Sequence, residues 1–446
     1  MVDASMDTHT MKGSLIFAAT ALLILRIMII LWGGNHDAPE GDQLAFYSGA
    51  QQLTQSANEW IRGGGEFGYR APMYFVFLAT VFSVFPNSTF VTGQIATACI
   101  GVVNCILVFF LNRRINGTAG GWIGFWGRGL IPSFVIADTF VMSEPLFSTF
   151  LLCILLTISI NPDRAHESKA IVLGVLVACC ILTREVAVVY PLVFGGYLAL
   201  VSKTKMEGLR CCALFGLAMI IILSPWMWRN TIVWGKPLPL SYTSGVNLHI
   251  GNNALATGKW GHLQEEEVDG LGFGTPQSDA WHREAALNYI IERPFRFLEL
   301  GFKKVAWLLW PRFEREEIRE LYDFTARQAT LLSLLLGGCS AILITLGVVG
   351  FVLSRPDWFW CISLSLISYT IVVAFIVYGA PRYRDAMDYL LLIYAVKSIE
   401  QLRLYGKVGK IDWLISKRKV LILGVVLSYL LINWTWIALE LSNQSI

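Results

Sequence analysis

The chain has 446 residues, of which 55% are hydrophobic and only 15% are charged, and its mean hydropathy is +0.56. Soluble domains carry roughly 25% charged residues. The apolar residues here form long blocks, which predicts a polytopic membrane protein. The formal net charge of +3 is too small to indicate nucleic-acid binding, and the sequence has no basic run with interleaved aromatic residues.

Eleven apolar blocks are candidates for membrane spans, since about 20 helical residues cross the hydrocarbon layer. The first block is too long for the apolar region of a signal peptide and lacks a small-residue cleavage site, so we expect it to be retained. The expected fold class is all-α. The predicted spans are 14–32, 89–111, 119–137, 144–160, 168–183, 186–202, 209–226, 329–353, 358–378, 385–399 and 419–440.

Lysine and arginine in the short connections predict the orientation, because cytoplasmic loops are enriched in both. Under this span count one side collects Arg113, Arg114, Arg164, Lys169, Lys203, Lys205, Arg210 and the basic run of residues 397–419. That side is predicted to be cytoplasmic. The N-terminus would then lie inside and the C-terminus outside.

Two long loops follow on the predicted outer side, at 33–88 and 229–328. Each contains an apolar piece, 69–85 and 294–310, that is too short or too amphipathic to span, and the second is interrupted by Arg296, Lys303 and Lys304. Such pieces tend to lie in the membrane interface. The expected organisation is a core at 1–228 that includes the first outer loop, a second outer loop at 229–328, and C-terminal spans at 329–446.

The first outer loop begins with GDQLAFYSGAQQL, in which Asp42 precedes an apolar stripe at helical spacing. The stripe predicts a helix lying on the membrane surface. It comprises Phe46, Ala50, Leu53, Ala57 and Trp60. Considered alone, Asp42 is more typical of a helix N-cap than of a catalytic acid.

A second acid, Glu144, occurs in the sequence MSEPLF. A helix start explains it equally well, because Ser143 suits the N-cap and Pro145 suits the first turn. Yet Glu144 is expected where its helix enters the membrane on the same outer side as Asp42. Carboxylates at membrane depth are costly and often functional. Asp138 is a weaker candidate on the same side.

Five arginines border spans or interfacial pieces on this predicted outer side. A single arginine there is more typical of a side chain reaching toward lipid headgroups. Five from separate parts of the chain favour a phosphate site, because the guanidinium fork matches phosphate oxygens. Together with two acids they indicate transfer from a phosphate-linked lipid donor. The five are Arg70, Arg184, Arg229, Arg382 and Arg384.

Seven motifs along residues 40–395 resemble those of membrane glycosyltransferases of GT-C fold, and they occur in the same order. They are GDQLAFYSGA, RAPMYFVFLA, SEPLF, LTRE, SPWMWRN, GVNLHIGNNALATG and PRYRDAMDYLLLI. The similarity is to glycosyltransferase family 39 and its bacterial relatives, which include protein O-mannosyltransferases and aminoarabinose transferases. Two departures concern donor and acceptor identity. Ala71-Pro72 stands where a double proline is familiar, and Ala386 and Asp388 replace a proline-rich continuation.

The resemblance implies inverting transfer of a sugar from a polyprenyl phosphate to a glycan, lipid or protein acceptor, outside a bacterial inner membrane. It implies that Asp42 is the general base and Glu144 the second acid. Arg184 would meet the donor phosphate, with Arg70, Arg229 and Arg382 as further candidates. Asp138, Tyr74 and Arg384 would support them. The single phosphate implies that no metal or other cofactor is needed.

The nine cysteines fall in or beside apolar blocks, and none shows zinc spacing with histidine, so no metal site or disulfide framework is expected. The alternative function is a flippase or transporter of lipid-linked sugars without transferase activity. It predicts functional charges buried mid-span in both halves of the chain and some inverted-repeat symmetry. Among the arginines, only Arg26 and Arg128 lie well inside predicted spans, and no repeat is visible. A membrane scaffold is a third possibility, which leaves the outer acids unexplained.

Overall fold

The computed structural model describes residues 8–33, 41–56, 66–85, 87–238, 240–261, 263, 274–311, 325–408 and 417–444. Among these residues, 3₁₀ helices lie at Glu185–Val189 and Pro381–Arg384. The α-helices are α1 (Thr8–Trp32), α2 (Gly41–Gln55), α3 (Glu66–Tyr69), α4 (Met73–Val84), α5 (Phe90–Leu130), α6 (Pro132–Ala137), α7 (Glu144–Ser159), α8 (Glu167–Thr183), α9 (Tyr190–Val201), α10 (Lys205–Trp234), α11 (Ser244–Gly251), α12 (Pro276–Glu292), α13 (Pro294–Leu308), α14 (Ala326–Leu353), α15 (Trp358–Ile376), α16 (Asp385–Val408) and α17 (Lys417–Gln444).

Six of these helices contain stretches long and apolar enough to cross a membrane, which confirms an all-helical membrane protein. Eleven spans are not shown. The predicted spans outside this set coincide with the helices α7, α8, α9 and α16. The six stretches are Thr10–Trp32, Phe90–Leu130, Lys205–Trp234, Arg327–Leu353, Trp358–Ile376 and Leu421–Ala438.

Helix α5 is a helical hairpin whose two arms cover nearly all of the predicted span 89–111 and the first part of the span 119–137. Gly117 has φ 80°, a conformation that glycine adopts without strain, and the chain reverses there. The rings of Phe109 and Trp122 then lie 5.0 Å apart, although a straight helix would separate these residues by about 20 Å.

The predicted span 119–137 is too long. Pro132 lacks an N–H and disfavours helical geometry at Ile131, so the helix ends at Leu130.

Helices α7 and α8 form the centre of the bundle and define its two ends. Leu151 and Leu155 of α7 are fully buried in one cluster with Leu173 and Val177 of α8. The two helices are joined by a short turn, so the start of α7 and the end of α8 lie together at one end of the bundle. The other end is basic, with Arg114, Arg164, Lys169, Lys203 and Lys205 nearby along the chain.

Helix α2 packs on α4, whereas the sequence predicted a helix resting on the membrane surface. The predicted apolar stripe faces the interior of the protein, where Phe46 and Ala50 are buried. The Phe46 ring lies 5.0 Å from the ring of Tyr74 and 5.1 Å from that of Phe75. A side chain at Gly49 would overlap the Phe75 ring. Ala57 and Trp60 of the stripe lie outside the described residues.

The second outer piece, 294–310, contains α13, in which the three basic residues differ in exposure. Lys304 does not reach outward but is fully buried, and its Nζ donates to Asn252 Oδ1 at 2.8 Å and to the Ile376 carbonyl at 3.0 Å. Burial lowers the pKa of Lys304 to about 7. Phe295 and Phe302 remain exposed, as expected for a helix at the interface.

A buried ion cluster joins α1 to α5 and α6. The Asp138 carboxylate accepts hydrogen bonds from Arg26 and Arg128 at 2.7–2.9 Å, and all three side chains are at most 1% exposed. Arg128 also donates to the Tyr389 hydroxyl at 2.7 Å. Only glycine fits at Gly101, since a Cβ there would overlap the Asp138 carboxylate.

Replacing this central acid should strongly destabilise the bundle. Asp138→Asn leaves two buried arginines without a counter-charge, and breaking a buried ion pair costs about 3–5 kcal/mol. We expect a clear fall in Tm of the detergent-solubilised protein. Asp163→Asn, at an exposed position, is the matched control and should leave Tm unchanged. Equal Tm values for the two variants would contradict a structural role for the cluster.

Candidate functional site

The Asp42 carboxylate is held between two arginines from distant segments. Helix α2 begins at Gly41, so Asp42 lies within the first turn rather than in the N-cap position that the residue alone favoured. Arg70 Nη2 lies 2.6 Å from Asp42 Oδ1, and Arg382 Nη1 lies 3.4 Å from Asp42 Oδ2. Each oxygen therefore has its own guanidinium partner.

These cations set the charge state of the acid. Burial on its own would raise the pKa of Asp42, but the charges of Arg382, Arg70 and Arg184, with the Arg70 hydrogen bond, together lower the pKa below its usual value. The neighbouring phenol of Tyr69 shifts the other way. Burial and the charge of Asp42 raise the pKa of Tyr69 to about 12. At neutral pH Asp42 is thus ionised and Tyr69 neutral.

Glu144 and Arg184 form a second ion pair at the site. Ser143 occupies the N-cap position of α7 but makes no capping bond with its side chain, contrary to its predicted role. Its hydroxyl instead accepts from Arg184 Nη1 at 3.4 Å, and the same Nη1 lies 2.6 Å from Glu144 Oε1. Glu144 Oε2 is buried and has no hydrogen-bond partner among the described residues. That oxygen can accept a bond from a bound hydroxyl.

Tyr383 connects the ion pairs of Asp42 and Glu144 into one site. Its ring centroid lies 5.1 Å from the guanidinium carbon of Arg382 and 5.8 Å from that of Arg184. Side-chain exposure rises across the site, from 10% at Glu144 and 19% at Arg184 to 35% at Asp42 and 42% at Arg382. The Glu144–Arg184 pair therefore lies at the buried end of the site, and Asp42 and Arg382 lie at its more exposed end.

The other predicted site residues have other partners. Arg229 donates to Asn230 Oδ1 at 2.9 Å and lies over the Trp226 ring. Arg384 is buried and bonds Asp388 and the carbonyls of Leu308 and Trp310 at the end of α13. Asp138 lies in the ion cluster with Arg26 and Arg128. Tyr74 is fully buried behind α2, with its hydroxyl 2.6 Å from Thr97 Oγ1.

Three residues of this site were not predicted: Tyr69, Tyr378 and Tyr383. Arg382 Nη2 donates to the Tyr383 hydroxyl at 3.0 Å, and the Tyr378 hydroxyl lies 2.8 Å from that of Tyr383. A usable signal was present in the sequence, since Tyr383 stands between two arginines in PRYRD. Tyr383 was not predicted because only charged residues were considered as candidates in this motif.

The described segments contain no group of three or more histidine, cysteine, aspartate or glutamate side chains placed to hold a metal ion. All nine cysteines lie in these segments, and each is a free thiol. Asp42 and Glu144 are paired with the guanidinium groups of Arg70, Arg184 and Arg382. Among these five side chains the arginines outnumber the carboxylates by one.

No protein-family model matches this chain, and no curated protein sequence matches it. Among solved structures the chain is similar to the archaeal oligosaccharyltransferase AglB from Archaeoglobus fulgidus, in complex with an inhibitory peptide and a dolichol-phosphate. The TM-score is 0.47 at 11% sequence identity, over 93% of this chain and 55% of that chain. The chain thus spans about half the length of AglB. A likeness of this degree defines neither a family nor an activity.

The Glu144–Arg184 pair should show strong energetic coupling because both side chains are largely buried. In a double-mutant cycle with Glu144→Gln and Arg184→Met, we expect a coupling free energy of about 1–3 kcal/mol in reversible unfolding. The exposed Arg210–Glu167 pair, 3.1 Å apart, is a matched control. Its coupling should stay below about 1 kcal/mol. Additive effects of the two site substitutions would contradict the described pairing.

Proposed function

We propose that this chain is an inverting glycosyltransferase of GT-C fold that moves a sugar from a polyprenyl-phosphate donor to an acceptor hydroxyl. One observation carries the proposal. Two carboxylates and three arginines, from five separate parts of the chain, meet at one end of a membrane bundle. The acids suit an incoming hydroxyl, and the arginines suit a leaving phosphate.

In this reaction the acceptor oxygen forms a bond to the anomeric carbon and loses its proton to Asp42. The bond from the anomeric carbon to the phosphate oxygen breaks, and the polyprenyl phosphate leaves with the electron pair. Attack from the side opposite the phosphate inverts the configuration. Arg184, Arg70 and Arg382 stabilise the negative charge that develops on the leaving group.

The pairing of Asp42 gives the donor a second role. While Arg70 and Arg382 hold both of its oxygens, Asp42 is a weak base. A donor phosphate competes for the same guanidinium groups, and its own charge raises the pKa of the released carboxylate. Asp42 thus becomes an effective base when the donor is bound. Glu144 uses its unpartnered Oε2 to accept a hydrogen bond from a hydroxyl of the sugar or the acceptor.

The location of the site fits a lipid-held donor. Glu144 and Arg184 lie at the end of the bundle opposite the turn between α7 and α8, where Arg164 and Lys169 lie. Since cytoplasmic loops are rich in lysine and arginine, the site faces the extracytoplasmic side. We assign a glycan, lipid or protein acceptor to that side. Because guanidinium groups supply the positive charge, we propose turnover without a metal, and EDTA should leave it unchanged.

A panel of polyprenyl-phosphate sugars, incubated with the purified protein, tests this function. We expect release of polyprenyl phosphate with transfer or slow hydrolysis of one sugar, and Asp42→Asn should lower kcat by about 10²–10⁴-fold at unchanged Tm. The control is Asp357→Asn, at an N-cap that bonds the Trp360 N–H at 2.7 Å. Its turnover should equal that of the wild type. Movement of intact donor across vesicles without cleavage would support a transporter instead.

The pH dependence of turnover tests whether the donor releases Asp42. The profile of kcat/KM for the donor reports the free enzyme, and that of kcat reports the complex. Since Arg382 and Arg70 lower the pKa of Asp42 in the free enzyme, the acidic limb of kcat/KM should lie at lower pH than that of kcat.

Arg382→Gln removes one of these charges and should move the kcat/KM limb to higher pH, toward that of kcat. The matched control is Arg283→Gln, at an arginine paired with Asp279 in another part of the molecule, which should leave both limbs in place. Coincident limbs in the wild type would contradict release of the base by the donor.

A further inference from the structure

Tyr383 contacts both arginines whose partners are the two acids. Arg382 faces Asp42 and donates to the Tyr383 hydroxyl, while Arg184 faces Glu144 and lies within 5.8 Å of the Tyr383 ring. The like charges of the two guanidinium groups repel each other. An aromatic ring that attracts both cations offsets this repulsion. Tyr383 therefore holds two positive charges close together before a ligand arrives.

The hydroxyl of Tyr383 belongs to a hydrogen-bond chain with a fixed direction. Tyr378 uses its proton to donate to Asn247 Oδ1 at 3.2 Å. The proton between the two tyrosine oxygens, 2.8 Å apart, is therefore the one on Tyr383. Its oxygen stays available to accept from Arg382. The chain runs from Arg382 through Tyr383 and Tyr378 to Asn247 on α11.

The segment that carries these tyrosines is held at both ends by buried basic side chains. Before the segment, the Ile376 carbonyl accepts a hydrogen bond from Lys304. After the segment, Arg384 donates to the Leu308 carbonyl. Tyr378 is itself only 6% exposed. Because the backbone is held in this way, the Arg382 guanidinium is positioned by its side-chain partners, the Tyr383 phenol and the Asp42 carboxylate.

We propose that Tyr383 is a positioning residue that sets Arg382 and Arg184 for one lipid-linked phosphate. This inference rests on the proposed function and deepens it. Tyr383 itself forms no bond to the reacting atoms. It acts through the two guanidinium groups, so its contribution is confined to the phosphate part of the ligand and does not extend to the lipid chain.

The test compares two probes, farnesyl phosphate and farnesol, which share a lipid chain and differ in the phosphate. Kd values are measured with the full chain in phosphatidylcholine nanodiscs. Tyr383→Phe keeps the ring and removes the acceptor of a charged hydrogen bond, so Kd for farnesyl phosphate should rise about tenfold. Kd for farnesol should not change. Tyr378→Phe, which leaves Tyr383 in place, should raise Kd for farnesyl phosphate by a smaller factor.

Tyr197→Phe is the matched control, since this buried hydroxyl donates to the Pro162 carbonyl at 2.7 Å in the turn region between α7 and α8. Its affinities should equal those of the wild type. Equal loss of affinity for both probes in Tyr383→Phe would mean a general structural role and overturn the inference. So would unchanged affinity for farnesyl phosphate. A wild type that binds both probes equally would instead overturn the proposed phosphate site itself.

Discussion

The pairing of carboxylates with arginines across distant parts of the chain is the interaction on which the site depends. Asp42 and Arg382 are 340 residues apart in sequence, yet their side chains meet at 3.4 Å. Such a contact requires that the first helices, the central pair α7 and α8, and the segment before α16 all pack in one arrangement. The Glu144–Arg184 pair is only 10% and 19% exposed, so little water screens its attraction, which also favours that arrangement.

The two acids differ in a way that their residue types do not reveal. Asp42 is partly exposed and has a cation on each oxygen, whereas Glu144 is nearly buried and has a cation on only one. If Asp42 acts as the proposed base, a competing anion such as the donor phosphate first has to draw its two arginines away. Glu144 keeps one buried oxygen without a hydrogen-bond partner among the described residues. Under the proposed function the two carboxylates therefore have different tasks.

Sequence reasoning located the long apolar helices because apolar blocks are local signals, but the eleven predicted membrane spans are not shown. It also identified Asp42, Glu144, Arg70, Arg184 and Arg382 as candidates, which the structure brings together. It could not separate these arginines from Arg229 and Arg384, since all of them border apolar segments. The direction in which a side chain leaves its helix depends on packing, and packing gives Arg384 the carbonyls at the end of α13. Tyr383 was missed because aromatic residues are common throughout the chain.

The buried cluster of Arg26, Asp138 and Arg128 has a consequence for how the protein is made. Arg26 lies in the first helix, and its partner Asp138 follows 112 residues later. During synthesis α1 therefore reaches the bilayer while its arginine has no counter-charge, a costly state in hydrocarbon that such side chains relieve by reaching toward the headgroups. We therefore expect α1 to settle at its final depth only after the α5 hairpin and Asp138 have been translated.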